Sequence, residues 1–239
     1  MNTKYDTRSP PESVVDHTAV RLPDRHVLSG NCVLVVVEGI NDVEFLRRIS
    51  AMLHEHNSNV PDLAAREASG GLVFLPIGGG VTAWSDRLAP ISCPEFHIYD
   101  REMPPETVLR QQVIGRIKSR PGCHGVLTRM RSLENYLHPD AVLAAGGPKV
   151  DFGKDDSVPE VVAKTAFCAR YPQVPWDTLK RRSQKRLSNR AKKWLNTRAV
   201  ACMTRQLLRA SDPQGDIVSW LAIIDILAAR RSIELFVLR

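Results

Sequence analysis

The stretch CVLVVVEGINDVEFL, residues 32 to 46, decides the fold. CVLVVV is a short β-branched run, bounded by Gly30-Asn31 before it and Glu38-Gly39 after it. That is the pattern of a strand covered on both faces of a parallel sheet. Behind it, NDVEFLRRISAMLHEH puts Val43, Leu46, Ile49 and Leu53 at helical spacing, with Phe45 and Met52 widening the stripe. The alternation continues downstream. LVFLPI (72–77) reads as a second strand, VTAWSDRLA (81–89) as a short helix and EFHIYD (95–100) as a third strand. PPETVLRQQVIGRI (104–117) reads as a helix with prolines in its first turn, and CHGVLT (123–128) as a fourth strand. Strands that alternate with helices imply right-handed crossovers, so the expected class is α/β: a mainly parallel sheet with helices on both faces.

Working outward from that core, residues 1–30 hold Pro10, Pro11 and Pro23 among polar residues without a sustained period, and are expected to form an N-terminal arm. Residues 31–140 form the α/β core. Beyond SLENYLHPD (132–140) the strand signal fades. VPEVVAKTAFCARY, the basic block that follows it, TRQLLRA and DPQGDIVSWLAIIDILAARR then predict a helical subdomain over residues 141–239, with Asp212 and Pro213 as N-cap and first-turn proline of the last helix.

The composition is that of an ordinary globular chain: 43% hydrophobic and 25% charged over 239 residues. The longest apolar runs, such as Val33–Val37 and Trp220–Ile224, fall far short of the roughly 20 residues that span a bilayer. The N-terminus lacks an apolar signal core, so a cytoplasmic location with no membrane association is expected. Five scattered cysteines suit neither a disulfide framework nor a zinc knuckle, and are expected as reduced thiols. The net charge of +7 is concentrated after Pro175, where 14 Lys and Arg face 5 Asp and Glu. Arg181, Arg182, Lys185, Arg186, Arg190 and Arg198 fall in a block of eight cations without an acid, the composition that contacts phosphates. The plainer reading of such a block is a solvated helical face.

In open α/β sheets ligands bind beyond the carboxyl ends of the strands. Glu38 ends the first strand, and Asp42 lies in the opening turn of the next helix. Asp100 ends the third strand, and Glu102 follows two residues later. If those strands are neighbours, the four acids converge, repel one another and call for a divalent cation; hard oxygen ligands suit Mg²⁺ or Mn²⁺. Asp42, Asp100 and Glu102 also have a plain alternative, as carboxylates at a helix N-terminus.

These residues carry a family resemblance. VVVEGINDVEFL resembles the first TOPRIM signature, HIYDRE the second, and TRMRSLENYL the Glu-Asn-Tyr segment in the TOPRIM halves of OLD-type (overcoming lysogenisation defect) nucleases and related phage-defence effectors. The resemblance covers about Val33 to His138. It implies a TOPRIM-like sheet and a two-metal phosphodiesterase. Glu38 matches the invariant glutamate that serves as ligand or handles the water proton, Asp42 and Asp100 match aspartate ligands, and Glu102 stands where the family has an aspartate. Glu134 matches a later acid; its alternative is a helix-surface partner of Arg131. The family's catalytic lysine, lying beyond the core, is matched by Lys192 or Lys193 in AKKWLNTRAV. The implied function is Mg²⁺- or Mn²⁺-dependent cleavage of DNA or RNA, tRNA included, by an effector subunit partnered with a separately encoded ATPase in phage defence. Homo-oligomerisation is left open. The rival is a degenerate nucleic-acid-binding or regulatory module, prompted by Glu102.

Gly78–Gly80 lack the Lys-Ser/Thr of a phosphate-binding loop and predict a tight turn. His54 and His56 lack the spacing of a zinc-binding helix, His97 is expected as a buried, satisfied imidazole, and Trp176 and Trp194 as packing residues or base-stacking platforms.

Overall fold

The computed structural model describes residues 32–84, 87–91 and 93–237, with residues 230–237 as helix backbone alone. The expected N-terminal arm lies outside the described residues. In chain order the elements are β1 (Val33–Val37), α1 (Ile40–His56), α2 (Leu63–Ala68), β2 (Leu72–Pro76), α3 (Val81–Trp84), β3 (Glu95–Tyr99), α4 (Glu106–Lys118), β4 (Cys123–Leu127), α5 (Pro139–Ala144), α6 (Val158–Arg170), α7 (Arg181–Trp194), α8 (Arg205–Ser211) and α9 (Asp216–Val237). The four strands form one all-parallel sheet in the order β2-β1-β3-β4.

β1 is central, and every one of its residues is buried. Because side chains alternate along a strand, Val33, Val35 and Val37 enter one core while Leu34 and Val36 enter the other. The first core is closed by α1 through Phe45, Leu46 and Ile49 and by α9 through Trp220, Leu221 and Ile224. The second is closed by α4 through Val113, Ile114 and Ile117 and by Val81 of α3. Helices therefore cover both faces, as the strand–helix alternation predicts. β4 runs so near α4 that a Cβ on Gly125 would lie 2.9 Å from Ile114 Cδ1.

From β1 the chain winds outward to β2 across one face, then returns past β1 to β3 and β4 across the other. The reversal puts a switch point between β1 and β3, paired with Val35 opposite Phe96 and Val36 opposite His97. Their carboxyl ends open a crevice there. The C-terminal helices share a core with the sheet: α9 packs on β1 and β3, and Leu195, Leu208 and Ile217 join the same buried cluster as Val35.

Several local readings shift. The tandem prolines Pro104 and Pro105 precede α4 instead of forming its first turn. The short helix α2, capped by Asp62, has too few residues to show a period. α9 begins at Asp216, and Asp212 caps it from outside, its two carboxylate oxygens accepting from the N–H groups of Asp216 and Ile217 at 3.0 Å each. Pro213 thus lies in the turn before the helix. The glycine loop is the expected tight turn, with Gly78 and Gly79 at positive φ. All five cysteines are thiols. No described helix is long and apolar enough to cross a membrane.

Asp212→Ala removes both caps from a helix that closes the main core, and is expected to cost about 1–2 kcal/mol. Urea unfolding measures it; Asp212→Asn, which keeps an acceptor, should recover part of the loss. Identical midpoints for all three proteins would refute the capping role.

Candidate active site

The carboxyl end of β1 turns at Gly39 into α1, and the turn carries two acids. Glu38 reaches across the switch point, where its Oε1 accepts the Asp100 N–H at 2.8 Å. Asp42, in the first turn of α1, accepts the Gly39 N–H on Oδ2 at 2.8 Å. This is the capping role open to any aspartate there. Its second oxygen, Oδ1, is buried, has no hydrogen-bond partner and lies 3.7 Å from Lys192 Nζ.

Asp100, at the end of β3, accepts the Leu133 N–H on Oδ1 at 3.0 Å and presents Oδ2 to the same ammonium at 3.7 Å. Glu134 comes from the 3₁₀ turn Leu133–Tyr136 that follows β4. It is 1% exposed, which excludes a surface pairing with Arg131. Its Oε1 accepts from Asn196 Nδ2 at 2.6 Å and lies 3.4 Å from Lys192 Nζ, and its Oε2 is buried without a hydrogen-bond partner.

The turn that carries Glu134 is held by its neighbours. Asn135 accepts the Ser132 N–H and donates to the Gly153 and Asp156 carbonyls. Tyr136 donates its hydroxyl proton to Asp216 at 2.8 Å and stacks edge-on against Trp220. In the Glu-Asn-Tyr segment, therefore, the acid faces the site and the other two fix its backbone.

Lys192 projects from the last turn of α7 into the middle of these acids. Lys193, one residue on, is exposed on a different side of the helix. Asn196, one turn beyond Lys192, ties the segment together by donating both to Glu134 and to the Lys192 carbonyl at 2.9 Å. Here α7 widens into a π-helical turn, Leu195–Ala199. Turns of that kind are over-represented at functional sites.

Glu102 stands apart from this group. It takes a left-handed backbone conformation, φ 55°, with its N–H bonded to the Arg131 carbonyl. The side chain is turned toward Arg131 Nε at 3.4 Å. Of the five acids expected as ligands, Glu38, Asp42, Asp100 and Glu134 are gathered at the crevice, while the left-handed backbone at Glu102 turns that side chain to Arg131 instead. Glu38 is also less open than its sequence position suggests. Both its oxygens are held by the fork of Arg110 from α4, one at 3.0 Å and the other closer, and Arg110 also donates to the Asp100 carbonyl at 2.6 Å. Neither Arg110 nor Asn196 is marked by the sequence reading; Asn196 alone carries a cue, its one-turn spacing from Lys192.

Burying these acids together perturbs them. Burial pushes the Asp42 carboxyl up to about 6, with Glu134 and Glu38 adding to the rise and Lys192 opposing it. Asp100 is raised well above the usual carboxylate range by burial, again against Lys192. Burial would lower the proton affinity of the Lys192 ammonium, but Glu134, Asp100 and Asp42 outweigh it and hold it above its ordinary value.

With every group ionised, Glu38, Asp42, Asp100 and Glu134 against Arg110 and Lys192 leave two negative charges uncompensated, the charge of one divalent cation. The separations from Nζ exceed the roughly 2.7–3.2 Å of a good hydrogen bond, so Lys192 compensates charge without satisfying the oxygens. Among the described residues no three His, Cys, Asp or Glu side chains stand as a group that could hold a metal ion. The ammonium is at the common point of three acids. In donor chemistry the residues fit Mg²⁺ or Mn²⁺: hard oxygens, two of them buried and unsatisfied.

The other candidates are structural. His97 is fully buried between Glu95 and the Tyr99 hydroxyl, at 2.6 and 2.7 Å. His54 and His56 bond to the backbone carbonyls of Val60 and Met52. Trp176 is buried against Phe167. The cations Arg181, Arg182, Lys185, Arg186, Arg190 and Arg198 are all exposed. Arg182, Lys185, Arg186, Arg190 and Lys193 share one helical face, lining a groove of 570 Å³.

A carboxyl whose folded pKa is raised costs stability above that pKa, and the cost disappears below the unfolded value. Through Asp42, stability therefore falls as pH rises from 3.8 to about 6. Asp42→Asn keeps an acceptor for Gly39 and should be more stable than the parent at pH 7 by about 1–3 kcal/mol, with the gap closing toward pH 4. Urea unfolding in EDTA at both pH values measures it; a variant less stable at pH 7 would contradict the charge conflict.

Comparison of the chain with protein-family models, with curated proteins and with solved structures finds no match, so the side chains themselves carry the reading that follows.

Proposed function

We propose that the chain is a divalent-metal-dependent nuclease of the TOPRIM type, hydrolysing phosphodiester bonds of DNA or RNA. The observation that carries this reading is the meeting of Glu38, Asp42, Asp100, Glu134 and Lys192, from four separate segments, with two buried oxygens lacking partners. Structural ion pairs are normally satisfied at both ends, because an unpaired buried oxygen costs free energy. A set left short of donors and short of positive charge is organised for a ligand that supplies both.

Asp42, Asp100 and Glu134 are the residues that would hold Mg²⁺ or Mn²⁺. Bound there, the ion would polarise a phosphoryl oxygen and acidify a water. Lys192 is suited to stabilise charge that develops on the phosphate, since its ammonium is already aimed into the site. Glu38 stands at the same crevice as the proton acceptor for water, oriented by Arg110 and the Asp100 N–H. The exposed face of α7 would carry the phosphate backbone toward the crevice. The proposed setting is that of an effector subunit acting in the cytoplasm with a separately encoded ATPase in phage defence.

A second reading is favoured by one observation. Lys192 and Arg110 already occupy the acids, which is the arrangement of a regulatory or nucleic-acid-binding module that does not cleave. The purified chain, incubated with plasmid, single-stranded DNA and tRNA in Mg²⁺, Mn²⁺ or EDTA, separates the two. The nuclease reading expects cleavage in metal only, a loss of at least about 10²-fold in Glu38→Ala and Lys192→Ala, and near-parental activity in Glu102→Gln. Cleavage in EDTA, or cleavage that survives both alanine variants, would overturn it. Binding without cleavage under every condition would select the second reading.

For α7, log K against log salt should lose about 0.7–0.9 from its slope for each of Arg182→Ala, Lys185→Ala and Arg186→Ala. An unchanged slope would mean that this face is merely solvated.

A further inference from the structure

Across α7 from the carboxylate crevice, the structure has a second concavity. α6, α7 and the Gly146–Pro148 loop line an open cleft of 460 Å³, within the roughly 300–1,000 Å³ range of small-molecule sites. Its walls are aromatic and aliphatic, with Phe167, Tyr171 and Trp194 around Ala166. Its cations are Arg170 and Arg190, and no carboxylate is among the residues that line it. Phe167 and Trp194 are half-buried, and Tyr171 is 46% exposed. The Arg170 guanidinium lies 5.6 Å from the Tyr171 ring, and the Phe167 and Tyr171 rings are 5.2 Å apart.

The Trp194 indole packs against the Gly147 backbone. A Cβ on Gly147 would lie 2.5 Å from its Cη2 and 2.7 Å from the Val142 carbonyl oxygen, so the loop can approach the indole only as glycine.

We infer that this cleft binds an unpaired nucleotide, its base against Trp194 and Phe167 and its phosphate at Arg170 and Arg190. The inference deepens the nuclease reading by naming the substrate class, a strand that is single-stranded or locally unpaired. Two observations select this occupant over an apolar peptide. Arg190 belongs both to the cleft and to the cationic face of α7, so the two surfaces are continuous. An acid-free rim above aromatic walls also complements a ligand with a flat apolar part joined to an anion. Bases in a duplex are stacked and cannot enter, whereas unpaired bases can be splayed onto aromatic rings. Trp194 is two residues from Lys192, about 200° around α7, so a base seated here lies across the helix from the acids, with the cationic face between them.

The test is equilibrium binding in EDTA, where cleavage cannot contribute. The probe is a short single-stranded DNA carrying a central 2-aminopurine, compared with the duplex of the same sequence. The single strand should bind about tenfold more tightly than the duplex, with a change in 2-aminopurine emission. Ala166→Leu, at an exposed position facing the cleft, should bring the single-strand affinity down to that of the duplex and leave duplex binding unchanged. Trp194→Leu should abolish the emission change, with circular dichroism and the unfolding midpoint confirming that the variant folds. Equal affinities for both forms together with an inert Ala166→Leu would overturn the nucleotide cleft while leaving the nuclease reading intact, as expected if the cleft instead holds a protein segment. Failure of both DNA forms and of a single-stranded RNA of the same sequence to bind would overturn the cleft and the nucleic-acid substrate together.

Discussion

Four carboxylates cannot be brought into one buried crevice unless positive charge comes with them, and the architecture around the crevice follows from that requirement. Three of them have little contact with solvent: Asp42, Asp100 and Glu134 are each no more than 4% exposed. The sheet supplies two of the acids through the ends of β1 and β3, the turn after β4 supplies another, and the opening of α1 the fourth. Counter-charge comes from helices: Arg110 from α4, which also closes the second core, and Lys192 from α7 in the C-terminal part. The helical C-terminal part thus completes the electrostatics of the α/β core, which explains why it shares a hydrophobic cluster with the strands.

The supply is incomplete. Lys192 is near three acids without bonding any of them well, and the perturbed aspartates express the same shortage as a raised proton affinity. An arrangement selected only for stability would be expected to remove one of the acids or to supply donors for the orphaned oxygens. The tension is kept where the topology reverses, the place in such sheets where ligands are received.

Much of this was legible in the chain, for definite physical reasons. β1 could be recognised because a strand buried on both faces must be apolar throughout, and the following stripe at helical spacing fixes α1. Glu38, Asp42 and Asp100 could be found because strand ends in a parallel sheet converge. Glu102 could not be placed, since spacing along the chain does not report the left-handed turn that swings it to Arg131. Arg110 was invisible: it pairs with a residue 72 positions away, and nothing local marks an arginine in a helix as inward-facing. Lys192 and Lys193 were indistinguishable because the short apolar stripe of α7, Leu187, Ala191 and Trp194, packs toward α6, and both lysines lie off it on either side, so the stripe does not say which one faces the acids. The shift in the start of α9 has a similar origin, since a carboxylate can cap a helix from four residues upstream as readily as from its end.

The phase of α7 carries one consequence for how this protein can vary. A single helix presents its cations outward, its tryptophan sideways and its ammonium inward, and successive residues are rotated by about 100°. Exchanging one exposed basic residue for another leaves that division intact. Inserting or deleting a single residue before Lys192 would rotate every later side chain and swing the ammonium out of the crevice, so natural variants should tolerate changes of identity along α7 far better than changes in its length.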